Sequence, residues 1–168
     1  MVLLWSLVKE RLKGHAKLKV AKALVELGFS VKNGRIYCGP VEVPSSRLAK
    51  AIGVDRRIVT EAINAIENDP QLKEIFEGIE PAGPSFRRIA KKLGFGIIEI
   101  EADPKKPGII AGVTSIIAKK EISIRQVIAD DPELYPNPKL TVITEKEVPG
   151  ELIPLFLKVE GVKKVTVY

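Results

Sequence analysis

A turn between a predicted strand and a predicted helix offers a place where an anion can bind. Residues 96–102 alternate β-branched and acidic side chains, as a half-buried strand does, and the run ends at Asp103-Pro104. Pro107 and Gly108 then open a helix, where a missing N–H donor costs little and the backbone can turn tightly. The first N–H groups of a helix have no partner within it, so this turn is suited to a carboxylate or a phosphate.

A second stretch, SSRLAKAIGVDRRIVTEAIN at residues 45–64, predicts two helices separated by a turn at Gly53. Asp55 can cap the second helix, and this spacing resembles a helix-turn-helix. Glu61 and Glu67 share the exposed side of that helix and would repel phosphate, and short helical hairpins also occur as plain packing units. The candidate DNA contacts on the second helix are Arg56, Arg57, Thr60 and Asn64.

The N-terminal part of the chain is predicted to be mostly helical, with one small hairpin. Apolar residues at helical spacing predict two short helices before Gly28, and Asn33-Gly34 predicts a two-residue hairpin turn. Lysines line the outer sides of these helices, either as a solvated face or as a phosphate-contacting surface that includes Lys17 and Lys19. The loop from Pro81 to Pro84 is the strongest boundary signal in the chain, and residues 85–93 behind it are predicted to form a connecting helix.

Charge is unevenly distributed about Gly96. Residues 1–95 carry 17 Lys and Arg against 10 Asp and Glu, a net +7, whereas residues 96–168 carry 10 against 11, a net −1. An excess of this kind suggests a polyanion partner, so DNA is the expected partner of the N-terminal part.

The C-terminal part is predicted to repeat strand and helix in the order β-α-β-β-α-β, which is ferredoxin-like. The expected fold class is therefore α+β: a basic, mostly helical domain with a helix-turn-helix and a small β-hairpin at residues 1–95, and a ferredoxin-like domain at residues 96–168. The run from Asp103 to Gly108, the following IIAGVTSIIA, and EISIR at residues 121–125 resemble the ACT domain, a small-molecule sensor that commonly binds amino acids where two domains pair. The whole chain resembles the archaeal ACT-containing regulators of amino-acid metabolism.

The resemblance implies an effector site shared by two paired domains. It places the site at the turn from the first strand to the first helix of one domain and at the start of the second strand of its partner. Asp103 would bind the α-ammonium, Ser123 would add a hydrogen bond from the second chain, and Lys105 stands where ligand-binding members often have an uncharged amide. The α-carboxylate would bind the N–H groups of Gly108, Ile109 and Ile110.

These features favour a cytoplasmic transcription regulator that senses an amino acid, binds DNA and forms a homodimer or a higher homo-oligomer through its ACT-like half. Two alternatives remain open: a regulatory subunit that controls an enzyme by protein contact, and an ACT-like half kept only for dimerisation. No enzyme motif is present, and neither a metal ion nor a cofactor is expected. The single cysteine, Cys38, excludes a disulfide framework and fits a reducing compartment. The apolar start, Met1 to Val8, is too short to span a bilayer and lacks the features of a secretory signal.

Overall fold

The computed structural model describes residues 4–168, so the first three residues of the predicted N-terminal domain lie outside the described part. The fold is mixed, with seven α-helices and two antiparallel sheets in the described part of the chain. The chain divides into two compact units, Met1–Gly83 and Pro84–Tyr168. None of the helices in residues 4–168 is both long enough and apolar enough to cross a membrane.

The first unit contains five helices and a three-stranded sheet. The helices are α1 (Leu4–Arg11), α2 (His15–Glu26), α3 (Ser45–Ile52), α4 (Arg56–Asn68) and α5 (Pro70–Glu77). The strands are β1 (Ser30–Lys32), β2 (Arg35–Cys38) and β3 (Val41–Val43), paired antiparallel in the order β1-β2-β3.

The predicted hairpin is confirmed at β1 and β2. Asn33 and Gly34 join the strands with φ values of 52° and 73°, the left-handed conformation that a two-residue hairpin turn requires. β3 extends the ribbon to three strands. No side chain caps α3, because the residue before the helix is Pro44 and Ser45 is already helical.

Helix caps and a shared apolar core fix the helices of the first unit. Asp55 caps α4 by accepting a hydrogen bond from the Arg57 N–H at 2.7 Å. Asp69 caps α5 in the same way, accepting from the N–H groups of Gln71 and Leu72 at 3.0 and 3.1 Å. The largest fully buried side chains of this core include Leu12, Leu24, Ile36, Ile63, Ile66, Leu72 and Phe76.

The second unit has the order β-α-β-β-α-β that the sequence predicts. Its elements are β4 (Gly96–Ala102), α6 (Ile109–Ala118), β5 (Ile124–Ala129), β6 (Lys139–Thr144), α7 (Ile153–Leu157) and β7 (Val162–Val167), with a 3-10 turn at Gly150–Leu152. The strands form one antiparallel sheet in the order β5-β6-β4-β7. One face of the sheet packs against α6 and α7 through a core that includes Ile98, Ile100, Val113, Ile117 and Phe156.

The opposite face of this sheet is covered by residues 84–95 of the same unit. Ala90 packs against Ile97 and Ile143, with Phe86 and Phe95 around them. These residues do not form the predicted helix over 85–93. Only Ala90–Leu93 is helical, as a 3-10 turn, and the division of the chain falls at 83/84 rather than at 95/96.

The position of the division changes the charge balance of the two halves. Residues 1–83 carry 13 Lys and Arg against 10 Asp and Glu, and residues 84–168 carry 14 against 11, so each unit has a net charge of +3. The four basic residues responsible for the difference belong to the segment that covers the second sheet. They are Arg87, Arg88, Lys91 and Lys92.

Candidate ligand-binding cavity and nucleic-acid interface

A cavity of about 600 Å³ lies beside the turn from β4 to α6 in the second unit. Its volume is in the range usual for small-molecule sites. The end of β4, the start of α6, the end of β5 and the start of β6 border it together. The lining residues are Ile100, Ala102, Pro104, Lys106, Pro107, Gly108, Ile109, Ile110, Ala111, Ala129, Asp130, Pro132, Pro138, Lys139 and Leu140.

The N-terminus of α6 borders this cavity. Gly108 precedes the helix with φ +87°, a conformation that side chains with a Cβ rarely adopt, and no side chain caps the helix there. Ile109 and Ile110 occupy the first two helical positions, where N–H groups have no partner within the helix. Three of the predicted ligand residues, Gly108, Ile109 and Ile110, therefore lie on the cavity wall.

The other three predicted ligand residues do not line the cavity. Asp103 shapes the turn itself, because its Oδ1 accepts from the Lys105 N–H at 3.0 Å and its own N–H donates to the Gly161 carbonyl at 2.8 Å. Lys105 is exposed on the same turn. Ser123 directly precedes β5, at the end of the strand opposite to Ala129, and its carbonyl accepts from the Glu145 N–H.

Two charged residues on the cavity wall, Lys106 and Asp130, were not among the predicted site residues. The Asp130 Oδ2 accepts from the Lys139 N–H at 3.1 Å, and the Asp130 N–H donates to the Lys139 carbonyl at 2.9 Å. This pair of bonds holds the carboxylate beside the cavity. Lys106 is paired with Glu160 at 2.6 Å. The feature of the sequence that could have indicated Asp130 is the proline-rich loop at residues 130–138, because such a loop can cover a site as well as connect two strands.

Lys139 contributes to the wall without directing its charge into the cavity. Its ammonium lies 3.2 Å from Glu99 and 3.8 Å from Glu101. Successive side chains of a strand point to opposite faces, so these residues lie on the face opposite to Ile100 and Leu140. The charged side chains that border the cavity with their charge are therefore Lys106 and Asp130, and Lys106 is already paired with Glu160.

In the first unit, α3 and α4 form the helix–turn–helix arrangement that the sequence predicts. Gly53 ends α3 in a left-handed conformation with φ 66°, and the Val54 N–H donates to the Ala49 carbonyl at 3.0 Å. Arg56 and Arg57 follow at the N-terminus of α4, and both are exposed. Two cations therefore lie at the exposed N-terminal end of α4.

The two acidic residues that argue against DNA binding have partners within the first unit. Glu61 lies 3.2 Å from the Lys17 ammonium. Glu67 accepts from the Gly34 N–H at 3.0 Å and pairs with Lys73 at 3.4 Å. Their charges are therefore partly compensated. Because of its ion pair with Glu61, Lys17, which was predicted to bind phosphate, is already in contact with α4.

The remaining predicted DNA contacts lie on exposed surface. Thr60 and Asn64 are exposed on α4, and the Thr60 hydroxyl donates to the Arg56 carbonyl at 3.2 Å. Lys19 borders an open cavity of about 670 Å³ between α1, α2 and α3. Other cations of that border are Lys9 and Lys22, with Lys22 paired to Glu26 at 3.7 Å.

Within residues 4–168, no group of three or more His, Cys, Asp or Glu residues is placed to hold a metal ion. No family model matches the chain, and no curated protein matches it.

Solved structures to which the chain is similar include an ACT domain and transcriptional regulators. The ACT domain of a GTP pyrophosphokinase from Chlorobium tepidum is 20% identical, covers 44% of this chain and 96% of its own, and gives a TM-score of 0.34. A transcriptional regulator from Neisseria meningitidis, solved in complex with L-Met, is 13% identical over 94% of this chain and 88% of its own, with a TM-score of 0.29. An AsnC-family regulatory protein from Pyrococcus furiosus is 11% identical over the same shares, with a TM-score of 0.26.

Proposed function

We propose that the chain is a transcription regulator that binds DNA through α3 and α4 and senses an amino acid in the cavity of its second unit. The observation that carries the proposal is that one chain contains both a helix pair suited to DNA and a cavity suited to a small ligand. One is a capped helix pair with two exposed arginines at its leading end. The other is a ferredoxin-like unit with a cavity at an uncapped helix N-terminus.

The DNA-binding part of the proposal rests on local arrangement rather than on net charge. With +3 on each unit, overall charge no longer distinguishes the first unit as the basic one. Arg56 and Arg57 are positioned by the Asp55 cap, and the acids of α4 are engaged by Lys17 and Lys73. An exposed arginine at the start of a recognition helix is suited to bidentate contact with guanine.

In the effector part of the proposal, each charged group of a free amino acid has a partner. The α-carboxylate would bind the N–H groups at the start of α6, where the helix dipole also favours negative charge. The α-ammonium would bind Asp130, whose carboxylate is fixed by the Lys139 N–H. Asp103 would stabilise the turn through its own hydrogen bonds and would not make the direct contact with the α-ammonium that was expected from the sequence.

The proposal includes pairing of two chains through their second units. The sheet face opposite α6 and α7 is covered by residues 84–95 of the same unit, so pairing would use a sheet edge instead. β5 is an edge strand, and its Val127 is 40% exposed. An unpaired apolar edge of this kind is a ready template for a second strand. No catalytic reaction is part of the proposal.

Retention of genomic DNA fragments on the full chain tests the DNA-binding part. Arg56→Ala together with Arg57→Ala should weaken binding by roughly 1–3 kcal/mol for each base-reading arginine and should relax sequence preference. Binding by the parent should fall steeply as salt rises, because phosphate contacts release counterions.

The matched control removes two exposed lysines of the second unit, Lys119→Ala with Lys163→Ala, and so changes net charge equally. It should leave sequence preference unchanged. If the arginine variant binds the fragments as well as the parent does, α4 is not the reading helix. If the parent retains no DNA at any salt concentration, the chain is not a DNA-binding regulator, and control of an enzyme by protein contact becomes the better hypothesis.

A further inference from the structure

We infer that the effector is an amino acid with an aliphatic side chain, which binds against the apolar floor of the cavity. The inference rests on the proposed function, because it concerns the side chain of the same amino acid whose charged groups bind at Asp130 and at the start of α6. It goes beyond that function by excluding the polar and charged amino acids.

The floor of the cavity is built from aliphatic side chains of the sheet and of α6. Ile100 is fully buried, and Leu140 and Ile109 are 6% and 8% exposed. Ile110 and Ala129 are different, since Ile110 is 48% exposed and Ala129 is also exposed on the cavity wall. An aliphatic side chain placed there would cover apolar surface that water now contacts, and this is favourable in proportion to the area covered.

Among the residues that the structure describes, the cavity wall has no unengaged polar side chain that could bind the side chain of an effector. Within the described residues, its lining includes the side chains of Lys106, Asp130 and Lys139 and no other side chain that donates or accepts a hydrogen bond. Asp130 is assigned to the α-ammonium, Lys106 is paired with Glu160, and the Lys139 ammonium is held by acids on the opposite sheet face. A polar side chain would lose its water without gaining a partner, and this weakens binding.

Pairs of amino acids with similar shape and different polarity test the inference directly. Calorimetric titration of the full chain with valine and threonine, and with leucine and asparagine, compares ligands that differ chiefly in a polar group. We expect threonine to bind roughly tenfold to a hundredfold more weakly than valine, because an added hydroxyl in an apolar site costs about that much. Asparagine should be weaker than leucine by at least the same factor.

A variant of the cavity wall adds a second measurement. Ile110→Ser removes exposed apolar surface at the cavity and keeps the backbone N–H that would bind the carboxylate. It should weaken leucine binding by about threefold to tenfold and should narrow the ratio between valine and threonine. Leu157→Ser is the matched control, because Leu157 is 48% exposed, as Ile110 is, and does not line the cavity. It should bind leucine as the parent does.

The outcomes separate this inference from the proposed function. If threonine or asparagine binds as tightly as its aliphatic counterpart, the aliphatic assignment is overturned while amino-acid sensing stands. Equal loss of leucine binding in Ile110→Ser and Leu157→Ser would also overturn it, since the effect would not come from the cavity wall. If none of the twenty amino acids binds, the sensing part of the proposed function fails, and the assignment of the side chain fails with it.

Discussion

At the scale of single residues, Asp103 and Asp130 are the two candidates for binding the α-ammonium of an amino acid in the second unit. The sequence draws attention to Asp103, which ends a strand directly before the turn. The structure uses the Asp103 carboxylate for the turn itself and places Asp130 on the cavity wall. Asp130 follows β5, and its approach to the start of α6 depends on the order of the strands. Spacing along the sequence carries no direct sign of this contact.

We expect Asp130→Asn to weaken amino-acid binding by at least about tenfold, since it removes the charge that would pair with the α-ammonium. Asparagine can still accept from the Lys139 N–H, so the loop at 130–138 should keep its place. Asp103→Asn likewise preserves an acceptor for the turn and should change binding little. Thermal shifts with saturating amino acid measure both. Loss of the shift in the Asp103 variant alone would return the ammonium contact to Asp103.

The contact between Lys17 and Glu61 gives a second prediction at this scale. Lys17→Ala should weaken DNA retention for all sequences alike, both by removing a cation and by leaving Glu61 uncompensated on the exposed side of α4. Glu61→Gln should restore much of the loss when added to the lysine variant.

A double-mutant cycle on DNA affinity measures this coupling. Lys19→Ala serves as the control, because it removes the same charge from the same helix and no ion pair joins it to Glu61. If the effects of Lys17→Ala and Glu61→Gln are simply additive, the ion pair has no part in compensating the acid.

At the scale of elements, sequence patterns predict those elements whose local preferences agree with their packing. α2, α4, α5 and α6 each combine a regular apolar face with turn or cap residues at their ends. Residues 85–93 also have helical spacing but form mostly turns. Ile89 and Leu93 are 45% and 53% exposed, so the apolar face that predicted the helix is not buried there. Tertiary contacts with the sheet override the local pattern.

Gln126 on β5 holds residues 84–95 in place through two hydrogen bonds to their backbone. Its Oε1 accepts from the Phe86 N–H at 3.0 Å, and its Nε2 donates to the Pro84 carbonyl at 2.7 Å. Arg87 adds an ion pair with Glu99, which is only 3% exposed and also pairs with Lys139. Residues 84–95 are therefore held on the sheet of the second unit by contacts with two of its strands, β4 and β5.

We expect Gln126→Ala to destabilise the second unit by about 1–3 kcal/mol, since it removes two hydrogen bonds and leaves the partly buried Phe86 N–H without its partner. Hydrogen exchange should locate the effect in residues 84–95, with faster exchange at the Phe86 amide. Gln71→Ala is a suitable control, because its hydrogen bond to Arg11 is on exposed surface of the first unit. If exchange at residues 84–95 is unchanged in Gln126→Ala, Gln126 does not hold this segment.

At the scale of the whole molecule, the order of strands and helices in the second unit and the loop at Pro81 to Pro84, where the chain divides, could be predicted, but the packing of residues 84–95 and the complete cavity could not. The predicted domain bounds at 95/96 differ from the observed division at 83/84 because residues 84–95 pack on a sheet whose strands come later in the chain. The cavity gathers residues from positions 100 to 140 that become neighbours only when β5, β6 and β4 align. The charge asymmetry also depended on the boundary and disappears once the segment joins the second unit.

The last prediction couples the two units. An amino acid held at Asp130 and at the start of α6 should alter DNA affinity, because a ligand that fixes how two sensor units pair would fix the spacing of two reading helices. Such coupling must be reciprocal and is typically about 1–3 kcal/mol, so DNA should change amino-acid affinity by the same factor.

Asp130→Asn should abolish the effect of the ligand. Gly108→Val should do so as well, because a β-branched residue is strained at φ +87° even though no atoms crowd the site. Both variants should keep the parent's basal DNA affinity, which depends on the first unit. Titration of a retained DNA fragment with and without amino acid, on the parent and both variants, makes the measurement. An equal ligand response in all three would place the effector site elsewhere, whereas a parent that binds amino acid without any change in DNA affinity would show that the two units work independently.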